Sequence, residues 1–109
     1  MPKRITPSQI KKYSVTQKIL DEMISLESRN ILFSIKNKAK SVEKISRECK
    51  IPLSTVYWKL QILQDLALVN MEKKDYSGRL PEKLFRSRIS SVEINIDGIE
   101  PKISLKKNE

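Results

Sequence analysis

SVEKISRECKIPLSTVYWKLQILQDLALV, residues 41–69, decides how this chain is read. Its first half has the makings of a short helix. Ser41 is a good N-cap, because its hydroxyl oxygen can accept a free backbone N–H of the first turn. Glu43 sits in that turn, where the helix dipole favours an acid. Val42, Ile45 and Cys49 share one side. Pro52 cannot continue the helix, and it biases Ile51 away from helical angles. Ser54 is the expected cap of a second, longer helix. The turn between them, about Cys49 to Ser54, is short, so the two helices must cross steeply, as in a helix-turn-helix unit.

The second helix sorts its residues on a helical wheel. Val56, Leu60, Leu63 and Ala67 form the expected buried seam. Ser54, Trp58, Gln61 and Asp65 fall opposite. Tyr57 and Gln64 flank one edge, Thr55 and Ile62 the other. Aromatic side chains are costly to leave bare, so the outward Tyr57 and Trp58 point to a contact surface. A major-groove placement would bring the first turns of this helix to base edges. Gln61 suits paired hydrogen bonds to adenine, and Ser54 and Thr55 suit phosphates or bases. Tyr57 and Trp58 suit sugars or a thymine methyl. The competing reading is that both aromatics cover a neighbouring element or dock a protein partner.

Working outward toward the N-terminus, Ile31, Leu32 and Ile35 predict a helix from about Glu27 to Lys38. Its acid lies early and its lysines late, as the dipole favours. Val15, Ile19, Met23, Leu20 and Ile24 predict an earlier helix, capped by Ser14 or Thr16. Residues 1–12 are polar and basic, with Pro2 and Pro7, and read as a flexible arm.

Toward the C-terminus the pattern turns extended. Val69 to Lys74 and Lys83 to Ile89 predict a hairpin around Ser77-Gly78, with Pro81 interrupting the approach to the second strand. Asp97-Gly98 is a strong two-residue turn signal, and predicts a second hairpin. In that register Ile96 faces Ile99, Ile94 faces Pro101 and Val92 faces Ile103, all apolar and on one side. Pro101 marks an edge strand, and Lys106–Glu109 should fray. The expected fold class is therefore α+β: a winged helix-turn-helix, mainly α, with a basic hairpin wing and an additional C-terminal hairpin. Residues 13–109 form one domain, with the helix-turn-helix at about 41–68, the wing at about 69–90 and the last hairpin at about 91–106.

Composition agrees with a polyanionic partner. The 109 residues carry 22 Lys and Arg against 13 Asp and Glu, a net charge of +9. Residues 1–20 hold Lys3, Arg4, Lys11, Lys12 and Lys18 and no acid, and 31–50 and 71–90 also lean basic. Candidate phosphate contacts are Lys38, Lys40 and Ser41 at the start of the short helix, where free N–H groups favour an anion. Around the wing they are Lys73, Lys74, Arg79, Lys83 and Arg86. Taken singly, each reads better as a solvated charge; their clustering on both sides of one outward helix favours the joint reading as phosphate contacts. The long helix itself carries only Lys59 and Asp65, so base reading and phosphate binding are expected on different elements.

Other classes are disfavoured. With no His, the commonest general acid or base is missing, and two Gly rule out a glycine-rich phosphate loop. Cys49, the single cysteine, lies on an apolar face and reads as a core residue. No apolar run is long enough to span a membrane and no signal-peptide pattern opens the chain, so a cytoplasmic, reducing location is expected. No cofactor is implied.

The quoted stretch resembles the core of prokaryotic winged helix-turn-helix regulators of the ArsR type. Ile51-Pro52-Leu53-Ser54-Thr55-Val56 matches the turn into the recognition helix. Leu60, Leu63 and Ala67-Leu68-Val69 match its apolar frame, and Arg29-Asn30-Ile31-Leu32 resembles the helix before it. The resemblance covers about residues 25–90. It implies a winged-helix fold, homodimeric binding of double-stranded DNA and transcriptional regulation, and it puts Thr55, Tyr57, Trp58 and Gln61 at DNA. This chain lacks the Cys and His set through which many members hold metal. It also lacks their C-terminal dimerisation helix, replaced by the Val92–Leu105 hairpin. The Val15–Ile24 helix is then a candidate for self-association, unless it packs on its own domain. A protein-interaction module and a binder of structured RNA remain open beside the DNA reading.

Overall fold

The computed structural model describes residues 7–75, 78 and 80–109, with side chains described from Val15 onward. The elements run α1 (Pro7–Ile24), α2 (Leu26–Ser34), α3 (Val42–Cys49), α4 (Leu53–Asp65), β1 (Val69–Lys74), β2 (Glu82–Ser87), β3 (Ile89–Asn95) and β4 (Lys102–Lys107). This is the expected α+β winged helix, with β1–β2 as the wing and β3–β4 as the added hairpin.

Helix α1 begins at Pro7, so 7–12 are helical where an arm was expected. Residues 1–6 of that arm lie outside the described residues. Ser14 and Thr16 therefore sit inside α1 rather than at its start. Ser25 separates α1 from α2 and caps the latter, its hydroxyl accepting from Ser28 N. Helix α2 stops at Ser34 rather than near Lys38. The cause is tertiary. The Ile35 carbonyl accepts from Ser87 N (3.0 Å), and Lys40 exchanges both backbone bonds with Phe85 (3.0 and 2.8 Å). The segment after α2 thus runs antiparallel along β2 as a single bridge. These pairings take the backbone groups a longer helix would need.

Ser41 caps α3 as expected, accepting from Lys44 N at 3.2 Å. Lys50 then adopts a left-handed conformation (φ 56°), and Ile51 N bonds back to Ser46 O. Ser54 is not the cap of α4. Pro52 holds that position without a side-chain bond, and Ser54 lies within the first turn. Proline's fixed φ fits the entry to the helix, while the free N–H groups of the first turn go without a side-chain cap.

The core fills the space between α1–α4 and the wing. Val56, Leu60 and Leu63 are buried as the wheel requires, together with Ile31, Ile35, Ile45, Leu68 and Phe85. Ala67 leaves the expected seam. It is exposed at φ 61° and ends α4, with Ala67 N bonded to Gln64 O and Leu68 N to Leu63 O. That pair of bonds is a Schellman closure, a geometry glycine usually supplies. Cys49 packs at the edge of the core, its thiol directed at Asn30 O (3.7 Å).

Ile19 and Glu22 of α1 are buried in their own chain, and Met23 packs on the core. This turns the inner face of the Val15–Ile24 stretch toward its own domain. Ser28 donates to Glu22 Oε1 (2.8 Å), and Lys59 Nζ reaches the same oxygen (3.6 Å) and Ser25 Oγ (3.3 Å). One polar cluster therefore ties α1, α2 and α4 together.

The C-terminal hairpin departs from its expected register. Ile94 pairs with Ile103 and Val92 with Leu105, not with Pro101 and Ile103. Asp97 and Gly98 do not take the positive φ of a type I′ turn. The shift lifts Pro101, which has no N–H to give, out of the ladder and into a longer loop. Because the shift is even, Val92, Ile94, Ile103 and Leu105 still share one face. Nor does the end fray at Lys106: β4 runs to Lys107, and Asn108 Nδ2 donates to Lys36 O (2.7 Å) and Ser87 O (2.9 Å).

Candidate nucleic-acid interface

Helix α4 presents its outer face beside the wing. Burial of Val56, Leu60 and Leu63 fixes its rotation, and leaves Tyr57 54% and Trp58 65% exposed. Ser54 and Gln61 are exposed on the same outward side, and Thr55 is half-buried at its edge. Lys59 points the other way, into the Glu22 cluster. The outer face of α4 therefore carries no cation, and hydroxyls, amides and indole and phenol rings dominate it.

Strand pairing positions the wing residues. Met71 pairs with Phe85, and two residues further out Lys73 pairs with Lys83. Phe85 is buried, so Lys73 and Lys83 lie on the strand face that looks toward the helices, beyond the edge of the core. Both are exposed. Like charges directly opposite each other weaken a ladder, and an anion placed between them removes that penalty. Lys74 and Arg86 alternate to the other face. Arg86 is half-buried, opposite Asn70, and its Nε has no hydrogen-bond partner. The wing cluster expected from the sequence is thus split across two faces. Arg79 lies outside the described residues.

A groove of about 620 Å³ joins the two elements, with Tyr57, Gln61 and Gln64 on the α4 wall and Lys83 on the wing wall. Glu43 and Glu82 also line it. Those carboxylates repel phosphate from the groove's interior but can accept from base amino groups. Leu80 stands 90% exposed beside Pro81 at the wing end of the groove. Sequence reasoning missed Gln64, Leu80 and Glu43 as lining residues. The exposed Leu80-Pro81 pair was a usable signal, since an isolated apolar side chain in a polar loop has no local purpose.

The third predicted cluster is partly engaged. Lys38 is exposed in the segment between α2 and α3. Lys40 Nζ is bound to Glu48 Oε2 at 2.6 Å. That hydrogen bond holds the Glu48 carboxyl below the usual carboxylate range, with Lys44 and Arg47 adding to the effect. Ser41 Oγ is committed to the α3 cap. A phosphate arriving here would have to draw Lys40 from Glu48.

Among the described residues no helix is long and apolar enough to cross a membrane, and no group of three or more His, Cys, Asp or Glu comes together.

No family model matches the sequence, and no curated protein matches it. The fold is similar to that of NolR from Sinorhizobium fredii, with a TM-score of 0.63 at 18% sequence identity. The likeness covers 83% of this chain and 83% of that one, and carries the same winged-helix topology.

Proposed function

We propose that this chain is a sequence-specific, double-stranded-DNA-binding transcriptional regulator of the ArsR type, acting without enzymatic chemistry, cofactor or metal, in the cytoplasm. One observation carries the reading. The uncharged Tyr57, Gln61 and Gln64 wall of α4 shares a groove with Lys83 of the wing. Base edges call for neutral donors and acceptors, while phosphates call for cations beside them. A helix of 13 residues is about 20 Å long and fits the major groove. Its first turns, Ser54 to Gln61, would meet the bases. Lys73 and Lys83 would hold the flanking backbone, with Lys38 and, once drawn from Glu48, Lys40 as further phosphate contacts. The structural relative NolR, a winged-helix transcriptional regulator, supports the same class.

The test is selection of binding sites from random duplex DNA, followed by titration across salt. A defined motif is expected, with affinity falling steeply as salt rises because neutralised phosphates release counterions. Gln61→Ala should weaken the preferred site more than random DNA. Binding indifferent to salt and sequence, or preference for duplex RNA, would overturn the proposal.

A further inference from the structure

The hairpin β3–β4 carries an apolar face that its own domain leaves open. Val92 and Ile94 line a cleft of about 330 Å³ opposite Met23 and Phe33. Ile103 and Leu105 extend that face by their pairing with Ile94 and Val92. Phe33 is 78% exposed, Ile94 42% and Leu105 43%, so the cleft does not close on itself. At the tip, Ile96 is 72% and Ile99 fully exposed. A lone two-stranded hairpin is marginal in water and needs something against its apolar side. Here Ile89 and Asn108 anchor the base and Ile103 packs on the core, while Ile96 and Ile99 at the tip stay exposed.

Charge identifies the occupant. The chain has a net charge of +9, yet residues 89–101 hold Glu93, Asp97 and Glu100 and no Lys or Arg. Asp97 and Glu100 flank the bare Ile96 and Ile99. The cleft, in turn, is rimmed by Arg29 and Lys36. An acidic, apolar tip and a basic, apolar cleft are complementary. Both belong to the same chain, but Ile94 of the same hairpin walls the cleft just before the tip begins, so the tip points past the cleft and cannot fold back into it.

We propose that two copies of this chain associate by reciprocal exchange of the β3–β4 tips. Ile96 and Ile99 of each copy enter the Phe33–Ile94 cleft of the other, and Asp97 and Glu100 meet Arg29 and Lys36. The arrangement is isologous, so one patch serves both copies and the assembly closes at two. Six apolar side chains (Phe33, Val92, Ile94, Ile96, Ile99, Leu105) at roughly 60–120 Å² each supply about 360–720 Å² per copy, reaching the lower range of a stable interface. The acidic tip also answers a problem of mass charge: two strongly basic bodies repel, and association needs a segment of opposite sign.

The experiment is sedimentation of the full chain without DNA, which reads self-association independently of DNA binding. The wild type should be a dimer. Asp97→Lys/Glu100→Lys and Arg29→Glu/Lys36→Glu should each weaken dimerisation at least tenfold, with circular dichroism unchanged. Mixed together, the two variants should pair, because every tip then faces a cleft of opposite sign. Ile96→Asp/Ile99→Asp should be monomeric. A monomeric wild type, a dimer insensitive to both charge reversals, or failure of the mixture to pair would each overturn the proposal.

Discussion

Replacing Lys59 by Met should destabilise this protein far more than an ordinary charge deletion on a helix surface. Lys59 Nζ lies 3.6 Å from Glu22 Oε1, and Glu22 is only 8% exposed. At an effective dielectric constant of about 20, charges that far apart attract by about 4–5 kcal/mol before desolvation is counted. Methionine fills the space of the lysine stem but leaves the carboxylate with Ser28 alone. Breaking a buried pair from one side typically costs about 3–5 kcal/mol. Side-chain exposures of 17% for Lys59 and 11% for Glu22 let water recover part of this. The expected loss is therefore about 2–3 kcal/mol, a large share of the roughly 5–15 kcal/mol that holds a domain. Urea unfolding followed by far-ultraviolet circular dichroism should show the midpoint falling by about 1–2 M. The double variant Glu22→Gln/Lys59→Met should recover at least about 1 kcal/mol relative to Lys59→Met, because no bare carboxylate remains. A loss under about 0.5 kcal/mol for Lys59→Met, the size of a neutral surface change, would refute the reasoning. The same variant should bind DNA nearly as well as the wild type below its melting temperature, since Lys59 faces away from the groove.

Three further outcomes follow from the geometry. Replacing Lys73 and Lys83 together by Gln should raise thermal stability slightly, by about 0.2–1 kcal/mol of relieved cross-strand repulsion, while lowering the salt slope of DNA binding by about 2. Opposite signs in the two assays are the check, and a loss in both would show that the pair is structural. Glu48→Gln should strengthen DNA binding at low salt, because Lys40 no longer has to leave a carboxylate; unchanged affinity in a fluorescence anisotropy titration would show that Lys40 stays off the phosphates. Ala67→Gly should raise the melting temperature by a few degrees, because a left-handed non-glycine residue costs about 1–2 kcal/mol, partly offset by the entropy glycine adds to the unfolded chain.

Local chemistry made much of this fold legible. The Val56, Leu60 and Leu63 seam needs only helical periodicity, and the Ser41 cap needs only a hydroxyl ahead of an apolar run. The wing strands were readable because Val69–Lys74 and the stretch after Pro81 are bounded by turn chemistry. The misreadings share a cause, which is competition from elsewhere. Two signals sat side by side at Pro52 and Ser54, and the preset φ of proline won. The Asp97-Gly98 signal was overruled because its register would have paired Ile94 with Pro101. The end of α2 depends on β2, far along the chain. The inward turn of Lys59 depends on Glu22, and no local pattern links them. The exposure of the α4 candidates was legible for the same reason as its seam: the outward face is whatever the seam excludes. Their meeting with Lys83 required the pairing of Lys73 with Lys83, which only the folded hairpin fixes.

The inward Lys59 also changes where affinity must come from. Read from the sequence, α4 balances Lys59 against Asp65 and is nearly neutral. In the fold Lys59 is spent on Glu22, so the outer face is left with Asp65 and no cation. Non-specific attraction to a polyanion then cannot originate at α4, the helix proposed to read it. It must arise from flanking lysines, and Lys40 among them is already bound to Glu48. Lys73 and Lys83 are different: their pairing makes each repel the other until an anion arrives. Such a division separates holding from reading. On the proposed DNA reading, phosphate contacts on the wing would hold the protein to any duplex, while Tyr57, Trp58 and Gln61 would add free energy only where the base edges fit. A helix face carrying its own lysines would narrow the gap between right and wrong sites, because those charges would bind both equally.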